Sequence, residues 1–323
     1  MKLLSQTPLA IILSVQLLCP EYASAASRDD ADWKSLNKEA VRLYNKGQYD
    51  QAAKIANEAL ELAATHAAQS LNNLASIHYA KGEYKKAEPL YKRSLAMREA
   101  AFGPQHPDIA ISLNNLARLY MITSRLSKAE PLYKRALTIR KKSFGLKHAA
   151  TAESLSNLAD LCKAQSKFDK AEGYYKQAID IYQQTVGPAS PATARAQNNL
   201  AVLYYAQARY AEARTHLEKA LAIRKKVLGS KHLKTAISMN NLAEIYSAQG
   251  HYTKAEKLYK SALRIFKKDA KSNHKQVLAT LRNLKECYRA ANQTRKAEEL
   301  RQQIKAVEKS YQAVAQPASQ SSR

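Results

Sequence analysis

Glycine and proline are scarce, eight and nine residues in a chain of 323. Ala, Leu, Lys and Tyr dominate instead, and β-branched runs are few, which is a helical composition. Cysteine occurs three times and tryptophan once. No Cys-x-x-Cys or His-Glu-x-x-His pattern is present, no Gly-rich phosphate loop, and no nucleophile motif. These gaps argue against an enzyme, and no cofactor or metal is expected. Acidic residues are also short, 27 against 52 Lys and Arg, for a formal charge of +25.

Long apolar runs are missing except near the start. Lys2 precedes a largely apolar stretch from Leu9 to Leu18, too short to span a bilayer comfortably. Ala23-Ser24-Ala25 then places small residues where a signal peptidase reads, with Ser24-Ala25-Ala26 as an equal choice. Residues 1–25 are expected to be a cleavable export signal, and the mature chain to be periplasmic or secreted. An uncleaved anchor is one alternative. Lipidation at Cys19 is another, although Leu18 is large for the place before a lipidated cysteine. The leader carries one Lys and one Glu, so its removal leaves the charge unchanged.

What is present is a ruler. Asn72-Asn73-Leu74 returns as Asn114-Asn115-Leu116, Asn198-Asn199-Leu200 and Asn240-Asn241-Leu242, with Ser156-Asn157-Leu158 and Arg282-Asn283-Leu284 as variants. A fixed step of this size signals stacked repeats. Within one unit, Leu71, Leu74, Ala75 and His78 share a helical face and Lys81-Gly82-Glu83 breaks the helix. A second helix carries Tyr84, Ala87, Tyr91, Ser94, Leu95 and Met97, and Phe102-Gly103-Pro104 ends it. Ala87 returns as Ala129, Ala171, Ala213, Ala255 and Ala297, small enough to let two helices approach closely.

The expected layout is a linker at 26–32, an array at 33–310 and a disordered tail at 311–323. The repeats run 33–67, 68–109, 110–151, 152–193, 194–235, 236–277 and 278–310. That makes about seven antiparallel helix pairs, some fourteen helices. The first pair is short: Gly47, Tyr49 and Ala52 stand 35 residues before Gly82, Tyr84 and Ala87. The last departs most from the pattern, as an end facing water can.

The phrases Leu-x-x-Leu-Ala-x-x-Tyr, Gly-x-Tyr-x-x-Ala and Ala-Leu resemble the tetratricopeptide repeat. The form with Leu71 to Ala75, Ala87 to Arg93 and Gly103 to Pro107 is similar to the kinesin-light-chain type. The resemblance implies an all-α, right-handed superhelical solenoid whose first helices line a concave groove. It also implies that the second Asn of each pair faces that groove. Asn73, Asn115, Asn157, Asn199, Asn241 and Asn283 would form a ladder gripping the main chain of an extended peptide, since an amide both donates and accepts. Asn72, Asn114, Asn198 and Asn240 stand beside it. Arg118, Asp160, Glu244 and Glu286 would add sequence preference. The alternative is that the Asn side chains merely bond to neighbouring turns or are relics of duplication.

The remaining features have plainer readings. His106, His148, His232 and His274 fall one per repeat, too far apart for one zinc ion, and are expected to bond to backbone at the junctions. Cys162 and Cys287 occupy core slots three repeats apart, so both are expected free and buried. Tyr91, Tyr133, Tyr175 and Tyr259 share one packing slot. The positive charge concentrates on second helices, in runs such as Lys92-Arg93, Arg140-Lys141-Lys142 and Arg224-Lys225-Lys226. Cations there suit the helix dipole. They also suggest a basic convex face docking on anionic membrane or envelope polymer, the competing function. Nucleic acid is disfavoured because aromatic-basic stacking motifs are absent.

Overall fold

The computed structural model describes residues 28–46, 48–269 and 273–315. The stretch read as an export signal and the end of the expected tail lie outside these residues. Thirteen α-helices follow one another among the described residues, with no strand. In order they are α1 (Arg28–Asn45), α2 (Tyr49–Ala80), α3 (Tyr84–Phe102), α4 (Pro107–Ile122), α5 (Leu126–Phe144), α6 (Ala149–Ala164) and α7 (Phe168–Thr185). Then come α8 (Pro191–Ala206), α9 (Tyr210–Leu228), α10 (Leu233–Ala248), α11 (Tyr252–Phe266), α12 (His274–Ala290) and α13 (Thr294–Ala315). A short 3-10 turn, Lys267–Asp269, follows α11.

The chain divides into two compact units, residues 1–145 and 146–323. In the first, α2 packs on α1 and α3, and α4 on α3 and α5. In the second, α6–α7, α8–α9, α10–α11 and α12–α13 are the packed pairs, and each second helix also contacts the next first helix. Each unit is therefore a stack of helix pairs with its core between helices, as the repeat pattern requires.

The repeated slots explain this packing. Ala87, Ala129, Ala171, Ala213 and Ala255 are completely buried. The shared Tyr slot is equally closed: Tyr91, Tyr133, Tyr175 and Tyr259 are all buried. Helices α3, α5, α7 and α9 end where glycine takes a positive φ, for example +77° at Gly103 and +89° at Gly229, a conformation costly for other residues. His106, His148 and His232 then cap the next helix. Their Nδ1 atoms accept the backbone N–H two residues on, at 3.3, 3.1 and 3.1 Å. Ser190 does the same work for α8, accepting from the Thr193 N–H at 3.1 Å. These are N-caps, which supply an acceptor to otherwise unpaired donors. His274 differs, being the first residue of α12.

Three boundaries depart from the sequence reading. Helix α1 begins at Arg28, inside the stretch read as linker, where Asp29, Asp30 and Asp32 suit a helix start. Helix α13 runs on to Ala315, five residues into the expected tail. Most consequential, the first repeat boundary at 67/68 falls inside the 32-residue helix α2. The stretch Ala63-Ala64-Thr65-His66-Ala67 holds neither Gly nor Pro, so nothing stops the helix. Thirteen helices result among the described residues, where fourteen were expected.

The long helix also exposes part of its C-terminal half. Leu74 is 38% exposed, whereas its equivalents Leu116, Leu158, Leu200, Leu242 and Leu284 are buried. A straight helix cannot fold back over itself, so residues 49–62 leave the Leu74 face uncovered.

Candidate peptide-binding surface

The Asn residues sit midway along the first helices, and the structure gives the two members of each pair different surroundings. Asn72 and Asn198 are only 7% and 8% exposed. Each accepts a hydrogen bond from the second Asn of the following repeat. Asn115 Nδ2 donates to Asn72 Oδ1 at 2.8 Å, and Asn241 Nδ2 donates to Asn198 Oδ1 at 3.2 Å. In these two pairs the first Asn is thus an inter-repeat acceptor. Asn114 buries both amide atoms, and Asn240 its Oδ1, without a hydrogen-bond partner.

The second Asn is the more accessible of the two. Asn73 is exposed, and its Oδ1 accepts from Gln69 Nε2 at 2.9 Å. Asn115, Asn157, Asn199, Asn241 and Asn283 are half-buried. An amide nitrogen carries two hydrogens. The bonds to Asn72 and Asn198 therefore fix the Asn115 and Asn241 amides while leaving each a second N–H. In the second unit successive first helices touch, so Asn157, Asn199, Asn241 and Asn283 lie on neighbouring helices.

The flanking residues divide. Arg118 is exposed, its guanidinium lying 5.0 Å from the Tyr79 ring centroid and 3.5 Å from Asn115 Oδ1. Asp160 turns inward, where its carboxylate accepts the Tyr175 hydroxyl. Burial pushes the Asp160 carboxyl above the ordinary range, although Tyr175, Lys163 and Arg195 all act to lower it. Burial likewise raises Glu244, which stands near Tyr259 and Tyr205. Ser76, in the same slot, meets the Tyr91 hydroxyl at 3.0 Å. This slot therefore largely serves the second-helix tyrosine of its own pair, while Arg118 and Glu286 reach the surface, Glu286 pairing there with Lys285 and Arg289.

The basic second helices are also less uniform than their sequence. Arg98, Arg140 and Arg224 are buried at 4%, 7% and 7% exposure, so three of the expected surface cations are not on the surface. Lys92, Lys134, Lys176 and Lys260 each pair with a Glu one turn earlier, at 2.6–2.8 Å. Lys141, Lys142, Lys225 and Lys226 stay exposed.

One recurring arrangement was not anticipated. Glu88 takes the Tyr120 hydroxyl at 3.1 Å, Arg125 at 2.7 Å and Lys92 at 2.8 Å. Glu172 takes Tyr204 at 3.0 Å, Arg209 at 2.6 Å and Lys176 at 2.7 Å. In both, the arginine also covers the tyrosine ring, with centroid distances of 4.5 and 4.2 Å. Burial raises these carboxyl groups, but the hydrogen bonds outweigh it, and both are held at about 2. Glu256 and Tyr288 repeat the pairing at 2.9 Å. Each clamp ties a second helix to the first helix after it. The sequence signal was a Glu followed 32 residues later by a Tyr.

Cys162 and Cys287 are buried, and no disulfide joins them. Among the described residues, no three His, Cys, Asp or Glu side chains gather as metal ligands. No described helix is long and apolar enough to cross a membrane.

Comparison with known proteins agrees with this architecture. A family model described as tetratricopeptide repeat matches residues 35–100, 66–142, 108–184 and 192–268, and a second of the same description matches 156–227. Among solved structures, a Podosopora anserina protein with nearly identical TPR-like repeats of the kinesin light chain kind is similar. It has 29% identity, covers 64% of this chain and 98% of its own, and gives a TM-score of 0.55. BtubC (BKLC) from P. vanneervenii is similar at 29% identity, over 74% of this chain and 91% of its own, with a TM-score of 0.52. Rap protein, solved with competence and sporulation factor, shares the fold at 12% identity, over 87% and 98%, with a TM-score of 0.58. Comparison with curated proteins gives no match.

Proposed function

The chain belongs to the tetratricopeptide repeat family, and from that premise we propose that its first helices capture an extended segment of a partner protein. The family fold is a protein-interaction scaffold. The finer reading rests on the second Asn of each repeat. These amides stand at one position on successive first helices, and two of them are oriented by a buried Asn of the preceding repeat. A donor and an acceptor at each step suit a peptide main chain, which offers the same groups whatever its sequence. Arg118 and Glu286 are the exposed neighbours able to add preference.

Asn157, Asn199 and Asn283 have no internal hydrogen-bond partner among the described residues, so they can be removed with little effect on folding. The triple change Asn157→Ala, Asn199→Ala and Asn283→Ala is expected to weaken binding of a captured peptide by at least about tenfold, given roughly 0.5–1.5 kcal/mol per lost hydrogen bond. The thermal midpoint should stay nearly constant. The peptide would come from crosslinking in the native compartment, and affinity would be read by calorimetry. Unchanged affinity would remove the Asn ladder from the mechanism.

We further propose that the chain is exported. Lys2, the apolar stretch to Leu18 and Ala23-Ser24-Ala25 support this. Edman sequencing of the native protein should begin at Ala26 or Ser27; a cytosolic chain retaining Met1 would refute export.

A further inference from the structure

The first repeat is seven residues short, and the missing piece is its turn. Gly47, Tyr49 and Ala52 stand 35 residues before Gly82, Tyr84 and Ala87, whereas Leu71, Leu74 and Ala75 stand 42 residues before Leu113, Leu116 and Ala117. On these two registers His66 aligns with Ala101, and Ala67 with Ile109. Nothing in the first repeat answers to Phe102-Gly103-Pro104-Gln105-His106-Pro107-Asp108, the stretch that ends α3, turns and starts α4. Seven residues make about two helical turns, so the join keeps its faces in phase and α2 runs through without a break.

The join deprives one first helix of the cover that its counterparts have. Leu74 and Ile77 are 38% and 52% exposed, whereas Leu119, Leu161, Leu203, Ile245 and Cys287, the equivalents of Ile77, are all buried. Ala67 and Ser70 are half-buried where Ile109 and Ser112 are closed. Residues 67, 70, 74 and 77 share one helical face. Helix α3, the partner within the pair, is in place. What is missing is the second helix of the preceding repeat, the role that α3, α7, α9 and α11 play for α4, α8, α10 and α12. Contacts across such a junction run antiparallel. Arg98 Nη1 donates to Ser112 Oγ at 2.6 Å and the Tyr120 hydroxyl donates to Glu88, while in the second unit Arg224 Nη1 donates to Ser238 Oγ at 2.6 Å.

In the first repeat the second-helix register belongs to the N-terminal half of α2, which cannot reach its own C-terminal half. It can reach that of another copy. Transferred to the two registers, the Arg98–Ser112 contact falls between positions 63 and 70, and the Glu88–Tyr120 contact between 53 and 78. Both are centred within one residue of His66, near the middle of α2. A pairing with that centre is unchanged when the two copies are exchanged, as a two-fold interface requires. We propose that two copies of this chain associate by laying their α2 helices, each about 48 Å long, antiparallel to one another. Residues 49–66 of each copy then cover the Leu74 and Ile77 face of the other, so the first helix pair is exchanged between copies. Charge does not oppose the contact, since 49–80 holds three acidic residues and one Lys in a chain of +25. The inference is independent of the peptide-binding reading.

Sedimentation equilibrium of the native protein should show a dimer, with twice the mass of one chain. Ile77→Asp places a charge on the uncovered face, and a pair of copies carries it twice. It should raise the dimer dissociation constant by at least about a thousandfold while helical circular dichroism stays unchanged. Ile122→Asp is the control, at a residue 53% exposed on α4, and should leave the dimer intact. A further variant restores the turn: the seven residues of 102–108 are copied in between His66 and Ala67. The first helix pair can then fold back onto its own chain and cover Leu74 and Ile77 from within. This variant should be a folded monomer, and it decides the matter even if Ile77→Asp fails to fold. A monomeric native protein overturns the proposal. So does a dimer that survives Ile77→Asp or the insertion, and so does equal loss of the dimer in Ile122→Asp.

Discussion

Ala213→Leu should destabilise the second unit by about 2–3 kcal/mol, the usual scale for forcing extra methylene groups into a closed core. Ala213 has no exposed surface, and neither do Ala87, Ala129, Ala171 or Ala255 in the same slot. It lies in the first turn of α9, which packs against α8. A leucine there must push those helices apart or take a strained rotamer, and displaced neighbours lose contacts of their own. Ala211→Leu is the control, because Ala211 is exposed two residues away on the same helix. It should change stability by less than about 0.5 kcal/mol. Urea unfolding followed by helical circular dichroism reads both. Equal effects of the two variants would show that the alanine slot does not set the helix spacing.

That slot was visible in the sequence because its period carries the information. A residue that returns every repeat and is always small must meet the same wall every time. The Leu and Tyr slots were legible for the same reason. Features that depend on the offset between stacked repeats were not. Asn115 finds Asn72, and Asn241 finds Asn198, at a separation of 43 residues, one more than the step of the ruler. Periodicity aligns each Asn with its own equivalents and says nothing about that diagonal. The Glu88–Tyr120 and Glu172–Tyr204 clamps are diagonal in the same way.

The buried arginines were misread for another reason. A long cationic side chain on a basic helix was assigned to solvent by residue type, although its stem can carry the charge inward to a hydroxyl. The pairing was present in the sequence: Ser112 and Ser238 each follow an Arg by fourteen residues, whereas Ala196 follows Tyr182. The continuous helix α2 failed differently. The repeat pattern placed a boundary at 67/68 by analogy with later junctions, but four of those five junctions break through glycine, and 63–67 has none. Local helix propensity prevailed over register there, and the exposure of Leu74 follows from it.

The diagonal Asn bond leads to the second large effect. Asn198→Ala should cost about 1–2 kcal/mol, because it deletes a nearly buried acceptor and strands the Asn241 N–H. Asn199→Ala, one residue on, should be neutral or slightly stabilising, since Ala is the better helix former and Asn199 has no internal partner among the described residues. A double-mutant cycle of Asn198→Ala with Asn241→Ala isolates the bond, with an expected coupling of about 0.5–1.5 kcal/mol. The two asparagines of one triplet would then divide their work, the first holding successive repeats together and the second left to a ligand. A neutral Asn198→Ala beside a costly Asn199→Ala would reverse that assignment. A coupling near zero would mean that Asn241 is positioned by its own helix. The proposed peptide-binding surface would then lack the internal scaffold that fixes its amides, and binding would have to bear the cost of ordering them.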